Sequence, residues 1–197
     1  MRVLVVGGTG TIGGAVAALL EGAGHRVVRA GRSRGDHAVD LAARASIEAL
    51  YQATGPVDAV VCCAGTAVFG TVQDLDDEAY RASIRSKLMG QIWLVVGGLD
   101  HVPAGGSFTL TTGTLSQDPA PGSAAVAMVG GALESWAKAA ALDLPDHRVN
   151  VVSPGAVRES LEARGMDPGA GTPVSAVAGV YRRAVEGTMT GQTLYLP

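Results

Sequence analysis

The chain is poor in cysteine, lysine and aromatic residues, and each shortage closes off a class of protein. Its two cysteines, Cys62 and Cys63, are adjacent, so they supply neither a disulfide framework nor metal-ligand spacing. Of the fifteen basic residues only Lys87 and Lys138 are lysines, and the net charge is −3. That balance lacks the basic surface needed to neutralise the phosphates of a nucleic acid, so no such partner is expected. Long hydrophobic runs are missing too. The stretch from Val3 to Val6 is too short for a signal-peptide core or a membrane span. The expectation is a cytoplasmic protein without a membrane partner.

What the chain has in quantity is apolar residues (47%) and glycine (28 residues). Its 197 residues fit one domain, 1–197, with a substantial core. Strand-like runs at 2–6, 26–30, 37–40, 58–62, 106–112, 148–153 and 192–196 alternate with helical patterns at 11–23, 44–53, 78–99, 123–144 and 174–187. Alternation of this kind predicts a doubly wound parallel β-sheet with helices on both faces, a Rossmann-type α/β fold. The strands are Val-rich on both sides, as a doubly covered parallel sheet requires. One loosely composed stretch, 156–173, reads as a mobile loop placed where a substrate lid would lie.

The segment Gly7-Gly8-Thr9-Gly10-Thr11-Ile12-Gly13 follows the first strand and opens a helix of small residues. Glycines there permit a tight turn, close backbone approach to a pyrophosphate, and close packing of helix on sheet. The strand before, the helix after and a second strand complete the context that gives the pattern its meaning. Gly7, Thr9, Gly10, Thr11, Ile12 and Gly13 are therefore candidate dinucleotide-binding residues. Past the second strand an NAD binder usually carries an acid for the ribose 2′-hydroxyl. This chain reads Arg29-Ala30-Gly31-Arg32-Ser33-Arg34, with no carboxylate before Asp36. Arg32 and Ser33 offer a guanidinium fork and a hydroxyl to a 2′-phosphate, which favours NADP(H).

Together with four further segments, the chain resembles the short-chain dehydrogenase/reductase family over almost its whole length. Val39-Asp40-Leu41 is similar to the segment that contacts adenine, and Cys62-Cys63-Ala64-Gly65 stands where the family has Asn-Asn-Ala-Gly. Asn150 to Gly155 resembles the segment whose Pro-Gly turn approaches the nicotinamide, and Gly191-Gln192-Thr193-Leu194 resembles the final strand. The resemblance adds Asp40, Leu41, Ala64, Gly65, Pro154 and Gly155 to the candidate cofactor residues.

The same resemblance exposes a departure. The family's chemistry rests on a Tyr-x-x-x-Lys motif, a serine and an asparagine. Matched by register, these positions hold Val126, Gly130, Gly113 and Lys87. The usual proton relay is absent. Thr111, Thr112 and Thr114 flank Gly113, and Thr112 is a candidate hydrogen-bond donor to a substrate oxygen. Ser83, Lys87 and Gln91 are spaced to share one helical face, beside Ile84, Leu88, Ile92 and Val95, which should be core. A lysine bordering an apolar stripe has its pKa lowered, which makes Lys87 a candidate proton donor. The alternative is that it snorkels to solvent or pairs with an acid at an oligomer interface. The cysteines are expected toward the adenosine side.

Helix 123–144 is built of small residues, with adjacent glycines at 130 and 131. Such residues admit close helix packing, and in the family the equivalent helix commonly forms a dimer interface. A homodimer or homotetramer through helices 78–99 and 123–144 is expected. Three functions stay open: an NADP-dependent reductase of a small carbonyl compound with a non-standard site, a catalytically inactive NADP-binding sensor, or a non-redox lyase or isomerase using the same pocket.

Overall fold

The computed structural model describes residues 1–196. Seven strands form one sheet: β1 (Arg2–Val6), β2 (Arg26–Gly31), β3 (His37–Ala38), β4 (Ala59–Cys62), β5 (Ser107–Thr111), β6 (Arg148–Pro154) and β7 (Thr193–Leu196). Every pairing is parallel, in the order β3-β2-β1-β4-β5-β6-β7. The order reverses direction between β1 and β4, and ligands of open α/β sheets bind outside the carboxyl ends of strands at such a crevice. The Rossmann-type expectation stands.

The period-2 alternation of β1 divides the core. Val3 and Val5 point to the face covered by α1 (Thr11–Gly22) and α7 (Val174–Glu186), packing with Val16, Leu20, Val177 and Tyr181. Leu4 and Val6 point to the other face, covered by α2 (Arg44–Thr54), α4 (Gly90–Gly98) and α5 (Ala124–Asp143), with Tyr51, Leu94, Phe108 and Leu133. Among the described residues no helix is long and apolar enough to cross a membrane.

Three expectations need correction. The strand expected at 37–40 ends at Ala38, because β3 is an edge strand matched to only two residues of β2. The Asp40 carboxylate then accepts the Ala42 N–H and turns the chain. The continuous helix expected over 78–99 is instead α3 (Asp77–Ser83), a π turn (Ile84–Met89) and α4. The wider turn frees backbone groups. Gln91 supplies a replacement partner, donating from Nε2 to the Lys87 carbonyl at 2.9 Å. Finally, the stretch 156–173, expected as a loop, carries regular structure of its own. It contains α6 (Arg158–Glu162) and a 3₁₀ turn at Pro168–Ala170, closed at its base by a bridge between Val157 and Thr172.

Candidate active site

Two cavities open at the carboxyl ends of the strands, one on each side of Cys63. The first, about 320 Å³, is lined by Val6, Gly7, Thr9, Gly10, Arg32, Leu41, Ala64 and Gly65 among others. Its floor is the glycine turn. Gly7 adopts φ +82° and donates its N–H to the Ala30 carbonyl, tying the turn to the end of β2. A Cβ at Gly13 would sit 2.1 Å from the Gly7 carbonyl oxygen, so α1 can press against the turn only while residue 13 has no side chain. Gly10 precedes α1 without a side-chain cap. The first-turn N–H groups of a helix have no intrahelical acceptors, and Gly10, at the head of α1, lines the cleft. Thr11 and Gly13 belong to that first turn rather than to the cavity wall.

Arg32 and Ser33 are exposed in the loop after β2. Arg32 lines the cleft, and its guanidinium stands 3.8 Å from the Asp40 carboxylate. Both groups are well solvated, so the pair is weak and leaves the fork free to turn to another anion. Ser33 and Asp40 lie outside the lining residues.

The second cavity, about 520 Å³, is lined by Ile12, Cys63, Lys87, Thr112, Pro154 and Gly155, with the lid residues Ser160, Leu161, Arg164 and Met166. The candidate residues thus divide between two adjoining chambers, and Cys63 borders both. The cysteines were expected on the adenosine side alone; Cys63 stands instead at the junction, because it follows the end of the central strand β4. Burial pushes both thiols up, Cys62 to about 11. The shift disfavours the thiolate form of both.

The π turn decides what each chamber receives from this helix. Ser86 faces the first, where its hydroxyl accepts the Thr66 N–H at 3.1 Å. Lys87, the next residue, lines the second. Gly65 makes room for the lysine stem: it takes φ +107°, and a Cβ there would lie 3.1 Å from Lys87 Cδ. Burial pushes the Lys87 ammonium down, and the nearby Cys62 and Cys63 act weakly in the other direction. Among the described residues Lys87 Nζ has no carboxylate within 4.0 Å. Ser83 and Gln91, expected on the same face, are buried structural groups. Ser83 accepts the Val68 N–H and donates to the Ala79 carbonyl, while Gln91 pairs with Thr111. Of the apolar neighbours, Val95 is buried, and Leu88 and Ile92 pack half-buried against the core.

Thr112 differs from expectation in one respect. Its hydroxyl donates to Glu134 Oε1 at 2.9 Å, so its single proton is committed and only its lone pairs face a ligand. The same carboxylate accepts the Ser116 hydroxyl at 2.7 Å and the Tyr195 hydroxyl at 3.0 Å. Glu134 went unnoticed in the sequence reading. The signal was there: an acid at the inward spacing of Val129, Leu133 and Ala137 on α5 must find donors when buried. Gly130 belongs to this contact, since a Cβ there would meet Ser116 Cβ at 3.1 Å. Thr114 lines the second cavity as well.

Tyr181 was also missed. It is fully buried on α7, and its hydroxyl lies 2.6 Å from Thr111 Oγ1. The Thr111 proton goes to the Cys62 carbonyl, so Tyr181 is the donor of the pair. Burial raises its pKa well above the ordinary tyrosine value. Its hydroxyl ties α7 to the end of β5, and burial disfavours its ionised form.

The comparisons agree with this geometry. A family model described as enoyl-(acyl carrier protein) reductase matches residues 7–187. The chain is 28% identical over 182 residues to the short-chain dehydrogenase/reductase ATR9 of Stachybotrys chlorohalonatus, covering 78% of this chain and 72% of that protein. It is 29% identical over 110 residues to the tetrahydroxynaphthalene reductase of Pyricularia oryzae, covering 54% and 39% respectively. Across the curated relatives the match spans between 39% and 72% of their lengths. The crystal structure of lin1944 from Listeria innocua superposes with a TM-score of 0.95 at 38% identity over 100% of both chains. A small-chain dehydrogenase crystallised with NADPH superposes at 0.87 and 26% identity, covering 100% of this chain and 96% of that one. With a family model over nearly its full length and relatives of one kind by sequence and by structure, the chain belongs to the short-chain dehydrogenase/reductase family of oxidoreductases.

Proposed function

We propose that the protein is an NADP(H)-dependent reductase of a small carbonyl compound, working without the family's serine, tyrosine and lysine. The observation that carries the reading is the pair of adjoining chambers, one floored by the glycine turn and one lined by the half-buried Lys87. The residues fit a dinucleotide. The uncapped N-terminus of α1 offers N–H groups to a pyrophosphate, and a side chain at residue 7 or 13 would fill the space a backbone must approach. Arg32 and Ser33 take the 2′-phosphate, and Leu41, Ala64 and Gly65 wall the adenosine end. The small-chain dehydrogenase that binds NADPH shares the fold throughout.

When bound, the cofactor supplies a hydride to the substrate carbon. Lys87 supplies the proton to the substrate oxygen: it is the titratable donor facing the second chamber whose pKa burial moves toward neutrality. Thr112, oriented by Glu134, accepts a hydrogen bond and fixes the ligand's attitude. Leu161, Met166 and the rest of the lid exclude water from the reacting group. Pro154 and Gly155 close the wall between lid and sheet.

Assembly and location are part of the proposal. Val96 (49% exposed) and Met128 (41% exposed) stand on α4 and α5, the helices expected to meet in a homodimer or tetramer. Two free thiols suit the reducing cytoplasm. A sensor that binds NADP(H) without turnover is the second reading, favoured by Gly113, Val126 and Gly130 at the family's catalytic positions. NADPH oxidation across a panel of ketones, aldehydes and oxo acids, read beside NADPH fluorescence on binding, separates the two. Binding with no turnover leaves the sensor; no binding overturns both.

A further inference from the structure

The second chamber is defined as much by the charge it lacks as by the groups it holds. Two cations line it, Lys87 from the π turn and Arg164 from the turn that follows α6, and no aspartate or glutamate does. Neither cation has a carboxylate within 4.0 Å among the described residues. The acids nearest in sequence do not neutralise Arg164. Glu159 accepts the Val174 N–H at 2.8 Å and so anchors the lid to α7, while Glu162 is not part of the cavity wall. The remaining surface is largely aliphatic, with Ile12, Leu115, Val157, Leu161 and Met166. The Glu134 carboxylate stands behind Thr112, occupied by three hydroxyls, and does not enter the wall. Two positive charges without an ion-pair partner facing a shared, partly apolar space favour an anion with an aliphatic body.

We infer that the substrate carries a carboxylate beside its reducible carbonyl, with Arg164 gripping the carboxylate and Lys87 facing the carbonyl oxygen. An arginine fork matches the two oxygens of a carboxylate, and a single such fork in an apolar chamber suits a monoanion better than a doubly charged phosphate. The reaction balances as 2-oxo acid plus NADPH plus a proton giving 2-hydroxy acid plus NADP⁺. The carbonyl carbon gains the hydride and its oxygen the proton. This inference rests on the reductase reading, and its test is built to fail separately from it.

The probes are isocaproate, which cannot be reduced, and its uncharged amide, titrated calorimetrically into the full chain with and without NADPH. Isocaproate is expected to bind at least about tenfold more tightly than the amide, the weight of a charge-assisted contact. Arg164→Gln, at an exposed position where folding is not at risk, should remove most of that difference and leave NADPH affinity unchanged. In turnover, 4-methyl-2-oxopentanoate should exceed 4-methyl-2-pentanone in kcat/KM, and Arg164→Gln should narrow the ratio by a similar factor. Equal binding of acid and amide overturns the inference even if NADPH binds and neutral ketones are reduced. So does a loss of NADPH affinity in Arg164→Gln, which would assign that cation to the cofactor. If NADPH fails to bind, the reductase reading falls, while the acid-to-amide comparison on the protein alone still decides whether the chamber selects a carboxylate.

Discussion

The Gln91 side chain is paired with the Thr111 backbone as though it were a neighbouring strand: Nε2 donates to the Thr111 carbonyl at 2.9 Å and Oε1 accepts the Thr111 N–H at 2.8 Å. With its bond to the Lys87 carbonyl, the amide fastens the π turn to the end of β5, and so sets where Lys87 stands relative to the cavity. A π turn inside an α-helix is rare and often marks a functional site. Here its cause is visible in one side chain.

Gln91→Leu is accordingly expected to cost more than an ordinary core substitution. Leucine fills the space but leaves a buried N–H and two buried carbonyls with fewer partners, at about 1–3 kcal/mol for each unsatisfied group. Urea unfolding should show a fall of about 2–5 kcal/mol, accompanied by lower turnover as Lys87 shifts. A variant within 0.5 kcal/mol or so of the parent would show that the amide contributes little.

The glycine turn offers a sharper geometric test. In Gly13→Ala the new methyl would lie 2.1 Å from the Gly7 carbonyl oxygen, so helix and turn must separate. Overpacking of this kind costs about 1–3 kcal/mol, and the opened turn should lose NADPH affinity by tenfold or more, on the order of 1.4 kcal/mol. Fluorescence titration of the folded variant reads it. Undiminished affinity would move the dinucleotide elsewhere.

The proposed cofactor choice rests on Arg32 and Ser33. The Arg32 guanidinium is held only by the solvated Asp40 at 3.8 Å, so a 2′-phosphate meets little competition. Arg32→Ala should remove most of the preference for NADPH over NADH, about 1–3 kcal/mol or roughly tenfold to a hundredfold. Equal affinity of the parent protein for the two cofactors would refute the assignment.

Lys87 links chemistry to stability. Lys87→Met should retain NADPH affinity while turnover falls about 10²–10⁴-fold, the usual share of a general acid. Because burial lowers the folded-state pKa of Lys87, the folded protein holds this proton less firmly than the unfolded chain does. The neutral amine is therefore favourable above the unfolded lysine pKa, and that advantage is lost as pH falls through the lowered folded value. Below that lowered pKa the parent bears the desolvation cost of its ammonium, so in that range Lys87→Met should be at least as stable in urea. The reductive rate of the parent should fall as pH rises through the same lowered pKa, and that limb should vanish in the variant. An unchanged pH profile would remove Lys87 as the donor.

Assembly can be tested without disturbing the core. A Cβ at Gly131 meets nothing within 4 Å, so Gly131→Leu is accommodated by the isolated chain. If α5 lies in a subunit seam, light scattering of this variant should show dissociation, with the unfolding midpoint of the separated chain near that of the parent. A parent protein that is monomeric at micromolar concentration would count against the seam.

Much of the fold was legible because its causes are local. Periodicity marked the strands and helices, and the glycine turn was readable because a backbone that must approach an anion excludes side chains whatever lies elsewhere. The edge strand β3 and the lid were harder: β3 stops where its partner β2 runs out of register, and the lid is closed by a bridge between Val157 and Thr172 that no short window contains.

The sequence by itself determined the βαβ order and the tight glycine turn between β1 and α1, since these follow from neighbouring residues and their backbone limits. Only the tertiary structure decided how the polar groups are used. Glu134 takes the protons of Thr112, Ser116 and Tyr195, the last from 61 residues away, and Thr111 meets Tyr181 across 70. Whether Lys87 or Ser86 faces the second chamber depends on a π turn secured from another strand. Buried polar groups choose partners by proximity in space, and that proximity exists only once the sheet has brought distant strand ends together.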